Sequence, residues 1–567
     1  MRRTRGRSAL LATLFAAVLA CALAGCSNVT DVVTGGAGDG DDAGGTGSAV
    51  AATSDVIDIP EYADFDYEAF NARVDDLVAA TAGDDTQAVL DLYDELYDSY
   101  VQMRDNSDVL YLLYSVNVSS TVVSNKLTWD TNESTEAIDA LLTAIAGVCA
   151  SDVHADAFRE HVGDDAFDAF AGYEPATQEE LDLLAREQEL IVDYYDVLEG
   201  ADEEDYYGEG INEEAGQIYC ELLQVRTQIA SAAGYDSYAN YADEQLYGRT
   251  FTDEEREALY AAVKAVGARY YNLLYYSTAT DFAYSGEDVD ADELFDTLAA
   301  YGEKIDPLVG ESAQFLIAND LADMGDDDSR MGGAYTTCIL GSHAPFIFQT
   351  LDGYSDFLTL THEFGHFIDF HVNEPANALS NGSGSLDLSE IHSNGLQALY
   401  THYYGDIYGS YQGRSAEAYC VVDLLSNVVD GCIFDEFQRE AYANPAMTVE
   451  ELNQLYQDIC EEYGDEHAAE YRTWWVEVPH TFESPMYYFS YAVSGFAALQ
   501  IWDQAQTDFD GAVATWRAVI DAGAYDHSYF EVIDDAGLVR FSDEAAAEQV
   551  LDDAVTHLED EAEWPQY

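Results

Sequence analysis

Lysine is almost missing from this chain, with only Lys126, Lys264 and Lys304 in 567 residues. Lysine and arginine together number 21 against 110 acidic side chains, for a formal net charge of −89. That balance excludes a nucleic-acid partner, because phosphate binding needs a basic patch, and it excludes a polybasic membrane-surface protein. Proline is also scarce, at nine residues, which suits long uninterrupted helices. No CxxC pair is present, so no thiolate zinc site is expected from Cys149, Cys220, Cys338, Cys420, Cys432 and Cys460. In an oxidising compartment those six are candidates for disulfides of unassigned pairing. Apolar runs of membrane-spanning kind are confined to the N-terminus. What is abundant, 48% hydrophobic and 13% aromatic residues, rules out a disordered chain despite the charge.

The first 25 residues read as a targeting segment. Arg2, Arg3, Arg5 and Arg7 precede the apolar run Ala9–Gly25, which is marginal as a membrane span. The run ends Leu23-Ala24-Gly25-Cys26, similar to a bacterial lipobox. That resemblance implies cleavage before Cys26, lipidation of its thiol, and anchorage to the outer face of a membrane. An ordinary secretory signal is the alternative. Residues 26–56, rich in Gly, Ala, Asp, Ser and Thr, then form a flexible acidic tether.

From residue 57 onward the pattern is helical. Thr177-Gln178-Glu179-Glu180, Thr252-Asp253-Glu254-Glu255 and Thr448-Val449-Glu450-Glu451 are capping boxes, each predicting a helix start. The tyrosine stripe Tyr93, Tyr97, Tyr100 reads as core or interface packing. Residues 333–351 break the habit: β-branched and aromatic residues around Gly341 and Pro345 predict two short strands. A boundary is placed near residue 250, dividing an N-terminal helical lobe (57–250) from a C-terminal part (251–567).

Directly after the predicted strands stands His362-Glu363-Phe364-Gly365-His366. On a helix the two histidines lie one turn apart on one face, so both imidazoles reach one metal ion, and Glu363 beside them can hold a water. Two neutral imidazoles and a carboxylate, with a fourth position open, suit zinc. Glu374 makes a poor third ligand, since it lies about 18 Å along a continuing helix from His362 and precedes Pro375. Glu390 fits better: after the breakers in 375–385, a second helix over 386–404 returns antiparallel and brings it opposite the histidines.

These residues, followed by Ser389-Glu390-Ile391-His392-Ser393, resemble the oligoendopeptidase F and thimet oligopeptidase family of zinc peptidases. Three further stretches carry the likeness: 330–335 with 342–347, Val478-Pro479-His480, and Pro485-Met486-Tyr487-Tyr488-Phe489-Ser490-Tyr491. The resemblance implies a mainly α, two-lobed helical body around a deep channel, with a small β-sheet beside the zinc helix. It implies one Zn2+ per chain held by His362, His366 and Glu390, with Glu363 as general base and His480, Tyr488 and Tyr491 stabilising the oxyanion. Tyr487 is left open. Unfolded oligopeptides would be the substrates of a monomer, their backbone pairing with an edge strand near 345–349. Two positions depart from the family: Asp369 stands where a histidine is usual, and Gln397 where an acidic residue is usual. Asp369 is then expected to give its carboxylate to His366, one turn away. Two other functions remain open: a catalytically weakened peptide-binding lipoprotein, and a zinc carboxypeptidase using Arg330, Arg414 or Arg472 to hold a terminal carboxylate.

Overall fold

The computed structural model describes residues 62–561, apart from 176, 201–206, 278–289, 328, 352, 354–355, 381–383 and 526. The targeting segment, Cys26 and the tether therefore lie outside the described residues. The chain is mainly helical, with one small sheet. All three predicted capping boxes form, opening Gln178–Glu199, Asp253–Tyr276 and Val449–Glu462. In each, the threonine hydroxyl accepts from the backbone N–H of the glutamate three residues on, and that glutamate's carboxylate accepts from the threonine N–H, so two otherwise orphaned amides are satisfied. Among the described residues no helix is long and apolar enough to cross a membrane. The six cysteines are free thiols, four of them buried.

Two apolar cores organise the body. The smaller is built from residues 67–173 and takes in Ala378 and Leu379. The larger runs from Leu190 to Leu558 and adds Val109. The packing therefore divides between residues 173 and 190, whereas the sequence placed its boundary near 250. Helices Gln178–Glu199 and Asn212–Ala232 bury Leu190, Tyr194, Tyr219 and Leu222 in the larger core, which ties them to the C-terminal part.

The sheet has three strands: β1 (Ala322–Gly325), β2 (Ala334–Ile339) and β3 (Ala344–Thr350). Sequence reading missed β1, whose Ala-Asp-Met-Gly carries no alternating or β-branched signal. β1 pairs parallel and β2 antiparallel with β3, so the order is β1-β3-β2. This corrects the expectation of an edge strand at 345–349: those residues belong to the central strand, paired with β2 throughout and with β1 from Ile347 onward.

Behind the sheet lie four helices that build the site. They are Asp356–Val372 (the histidine helix), Leu386–Tyr400 (the glutamate helix), Ser410–Ala443 (the long helix) and Tyr488–Thr507 (the tyrosine helix). The first two face each other at Gly365, where a Cβ would stand 2.5 Å from the His392 carbonyl oxygen. Only glycine permits this approach, and the approach is what brings Glu390 to the histidines. The tyrosine stripe of the smaller core holds the turn between the same two helices. Tyr97 Oη accepts from the Ala378 N–H (3.0 Å) and Tyr93 Oη from Asn377 Nδ2 (2.8 Å).

Candidate active site

His362, His366 and Glu390 converge. Their ligand-type atoms all lie within 4.8 Å of one another. Glu390 Oε2 is 3.5 Å from His362 Nε2 and 3.7 Å from His366 Nε2. Two ligands on one tetrahedral zinc, each about 2.0–2.1 Å from it, lie roughly 3.3 Å apart, so the donor set fits the ion. His366 Nε2 is buried without a hydrogen-bond partner, and Glu363 Oε1 likewise. Burial pushes the His362 imidazole down to about 4 against weaker pulls from Gln397 and Asn394. Burial and the neighbouring His362 and His392 rings push His366 well below the usual range. Both rings are therefore neutral near pH 7, the form that binds metal. Glu374 points elsewhere: its Oε1 lies 2.8 Å from His343 Nδ1.

Glu363 is fully buried, whereas His362 and His366 each keep 8% exposure, so the ring edges are reachable where the carboxylate is not. Thr336, in the middle of β2, donates from its hydroxyl to Glu363 Oε2 (2.7 Å). That bond fixes one carboxylate oxygen and leaves the other for a ligand. Burial pushes the Glu363 carboxyl up to about 8; Thr336 opposes the shift and the Glu390 charge adds to it. Thr336 was not predicted, because nothing in a strand of Ala, Tyr, Thr and Cys marks one hydroxyl as facing a helix twenty-seven residues on.

The two departures behave differently from expectation. Asp369 does not serve His366. Its Oδ1 accepts from Asn373 Nδ2 (2.7 Å), and its Oδ2 lies 3.2 Å from His392 Nδ1 on the glutamate helix. The close helix crossing at Gly365 puts His392 within its reach. Gln397 Oε1 lies 3.4 Å from His362 Nδ1, and its Nε2 lies 3.5 Å from Asp423 Oδ2 on the long helix. A carboxylate thus stands behind His362 after all, one amide removed.

A second group of rings closes the site. His480, on the short helix Pro479–Glu483, lies with its centroid 5.4 Å from Tyr487, 5.5 Å from Tyr488 and 6.1 Å from Tyr491. All three tyrosines are mutual neighbours of the first turn of the tyrosine helix; Tyr491 is 5.0 Å from Tyr487 and 5.4 Å from Tyr488. Tyr487, left open by the sequence, donates to Glu390 Oε1 (2.9 Å). Its i, i+4 spacing from Tyr491 was the available signal. Burial pushes His480 down to about 4, and its Nε2 has no partner. Burial, with Asp430 and Glu483 nearby, raises the Tyr488 phenol, which stays a protonated donor.

Of the three arginines weighed as carboxylate anchors, Arg330 pairs with Asp323 (2.6 Å) and Arg472 with Glu450 (2.8 Å), while Arg414 is exposed, 3.8 Å from Glu561.

Residues 303–515 match the family model for peptidase family M3. Over 282 residues the chain is 22% identical to oligopeptidase PepF of Bacillus subtilis (strain 168); the match covers 47% of this chain and 41% of that relative. Among solved structures, PZ peptidase A with an inhibitor superposes with a TM-score of 0.71 at 18% identity, covering 88% of this chain and 98% of the other. A putative oligoendopeptidase F from Bacillus anthracis str. Ames gives 0.70 at 18% identity, covering 88% and 97%. At such identities the superpositions establish a shared fold. The segment that matches the family model for peptidase family M3 holds both facing helices, the triad, Glu363 and the ring cluster.

Proposed function

We propose that this protein is a zinc metalloendopeptidase that hydrolyses peptide bonds in unfolded oligopeptides. The observation that carries the reading is a buried His-His-Glu triad beside a carboxylate, Glu363, with one oxygen held by Thr336 and the other unpaired. His362, His366 and Glu390 would hold the ion, and Tyr487 and Ser393 fix the Glu390 carboxylate from either oxygen. Zinc in such a site supplies Lewis-acid polarisation of the scissile carbonyl and a water of lowered pKa. Glu363 orients the attacking water through Oε1, takes its proton, and passes it to the leaving amine. Attack on the amide builds charge on the carbonyl oxygen, and His480, Tyr488 and Tyr491 would be the donors that meet it, a reading supported by their clustering beside Tyr487. His480 is neutral here, so it donates a ring N–H and not a full charge.

The Arg-rich leader and the motif ending at Cys26 support a position outside the cell, anchored by lipid. The close pairing of Arg330 with Asp323 and of Arg472 with Glu450 leaves neither as a ready anchor for a terminal carboxylate, which favours endopeptidase action. Cleavage-site mapping by mass spectrometry on a peptide mixture, including end-blocked peptides, with and without a zinc chelator, tests the reading. Chelator-sensitive internal cuts are expected. Cleavage only at free C-termini, or none, would overturn it.

A further inference from the structure

Arg249 lies far from the triad in sequence, in the segment that follows the π-helical turn Ala242–Leu246. Its side chain has no solvent exposure. Five hydrogen bonds account for it. Nε is 3.1 Å from both oxygens of Asp387, and Nη2 is 3.0 Å from Asp387 Oδ1. Nη1 donates to the Met486 carbonyl (2.8 Å), and Nη2 to Ser490 Oγ (2.7 Å). Ser490 in turn donates to Asp387 Oδ1 (2.7 Å), closing the ring of contacts.

The partners are not arbitrary. Asp387 is in the first turn of the glutamate helix, three residues before Glu390. Met486 immediately precedes Tyr487, and Ser490 stands between Tyr488 and Tyr491. Met486 also has φ of +70°, a left-handed conformation that a long side chain rarely adopts. Such a backbone persists only where its surroundings over-determine it. Here the Met486 N–H donates to Gln438 Oε1 (2.7 Å) while its carbonyl accepts from Arg249, and Tyr247 Oη holds the preceding Pro485 carbonyl (2.9 Å). One planar guanidinium thus ties the helix bearing the third ligand to the bend that aims three tyrosines.

We infer that Arg249 is a positioning residue, whose fork to Asp387, Met486 and Ser490 sets the spacing between Glu390 and the Tyr487–Tyr491 segment. This rests on the peptidase reading of the site, in which the ion and the oxyanion donors must meet one carbonyl oxygen. A displacement of about 1 Å between them is enough for a rate loss near 100-fold. A lysine cannot replace the fork, because a point charge cannot reach three acceptors in one plane.

The test uses the full-length protein and Arg249→Lys. The expected result is kcat lower by about 10- to 100-fold, with KM within about twofold and one zinc per chain retained. Cobalt(II) replacing zinc gives visible bands that report ligand geometry, and these should shift in the variant because Glu390 is held less firmly. Adding Tyr491→Phe to Arg249→Lys should cost much less than Tyr491→Phe alone, the donor being already displaced. A purely structural role predicts a lower melting temperature with kcat and cobalt bands unchanged, and that result overturns the inference. Should Arg249→Lys fail to fold, Ser490→Ala removes one contact and leaves the ion pair; a kcat equal to wild type there also overturns it. If wild type cuts no peptide yet the cobalt bands still shift, the peptidase reading fails and the positioning role stands. If neither protein binds metal, both fall.

Discussion

Two buried polar clusters lie side by side in this protein and are built on opposite plans. In the first, Arg249, Arg256 and Arg439 are interleaved with Asp243, Asp387 and Asp435, and each charge has an opposite one within 3.5 Å. Burial alone would raise the Asp435 carboxyl, but Arg256 and Arg439 hold it below the usual range. In the second, His362, Glu363, His366 and Glu390 stand together, and His366 Nε2 and Glu363 Oε1 are buried without a hydrogen-bond partner. Burial there pushes both histidines down and Glu363 up. A buried cluster whose charges cancel internally is complete as scaffold. One whose donor atoms stay unmatched is stabilised only by something bound from outside, and that is where chemistry is to be looked for.

The sharpest way to test this contrast is Glu363→Gln. The amide keeps the shape and the Thr336 bond but cannot accept a proton, so kcat should fall by about 10³–10⁴-fold. Elemental analysis should still find one zinc per chain, and more than about a tenth of wild-type kcat would remove Glu363 as the base.

The opposite behaviour is expected from Arg256→Met in the paired cluster. It leaves Asp435 with Arg439 as its remaining cationic neighbour and takes one of three from Asp243, so stability should drop by about 3 kcal/mol, read as a shifted denaturant midpoint. Turnover per folded molecule should stay within about twofold of wild type, because Arg256 touches neither metal-binding helix. A large kcat loss without a stability loss would blur the distinction between the clusters.

Tyr491→Phe is next in size. Only a hydroxyl leaves, and if it meets the oxyanion kcat falls roughly 10²–10³-fold with KM nearly constant. An unchanged kcat beside a lower melting temperature would make Tyr491 a packing residue and leave the donor role to Tyr488.

The smallest effect is on pH dependence. His480 is held neutral by burial, titrating at about 4 in the folded chain and at about 6.5 unfolded. The unfolded state therefore takes up the proton first. Stability from this group is whole above pH 6.5 and lost as pH falls toward 4, about 2 kcal/mol between pH 7 and pH 5. Melts of wild type and His480→Gln at the two pH values should converge in this amount; parallel curves would show that His480 is not buried neutral.

Much of the site was legible before any coordinates. The zinc pattern is local: a helix carries His362 and His366 to the same side whatever surrounds it, and Glu390 followed from one turn and one antiparallel return. The capping boxes at Thr177, Thr252 and Thr448 were legible for the same reason, since their bonds span three residues. The contacts that the sequence did not disclose all cross long separations. Thr336 reaches Glu363 from a strand, Tyr487 reaches Glu390 from another helix, and Asp369 turns to His392 because two helices cross at Gly365.

Sequence alone thus determined which residues could ligate a metal, where helices start, and that the surface is acidic, because these depend on side-chain chemistry and on periodicities of a few residues. Tertiary structure decided the rest. It made residues 345–349 part of a central strand, divided the cores between 173 and 190, and joined Arg249 to Asp387, Met486 and Ser490. Those outcomes depend on which distant surfaces exclude water together, and the close approach of two backbones is settled by packing and not by any local pattern.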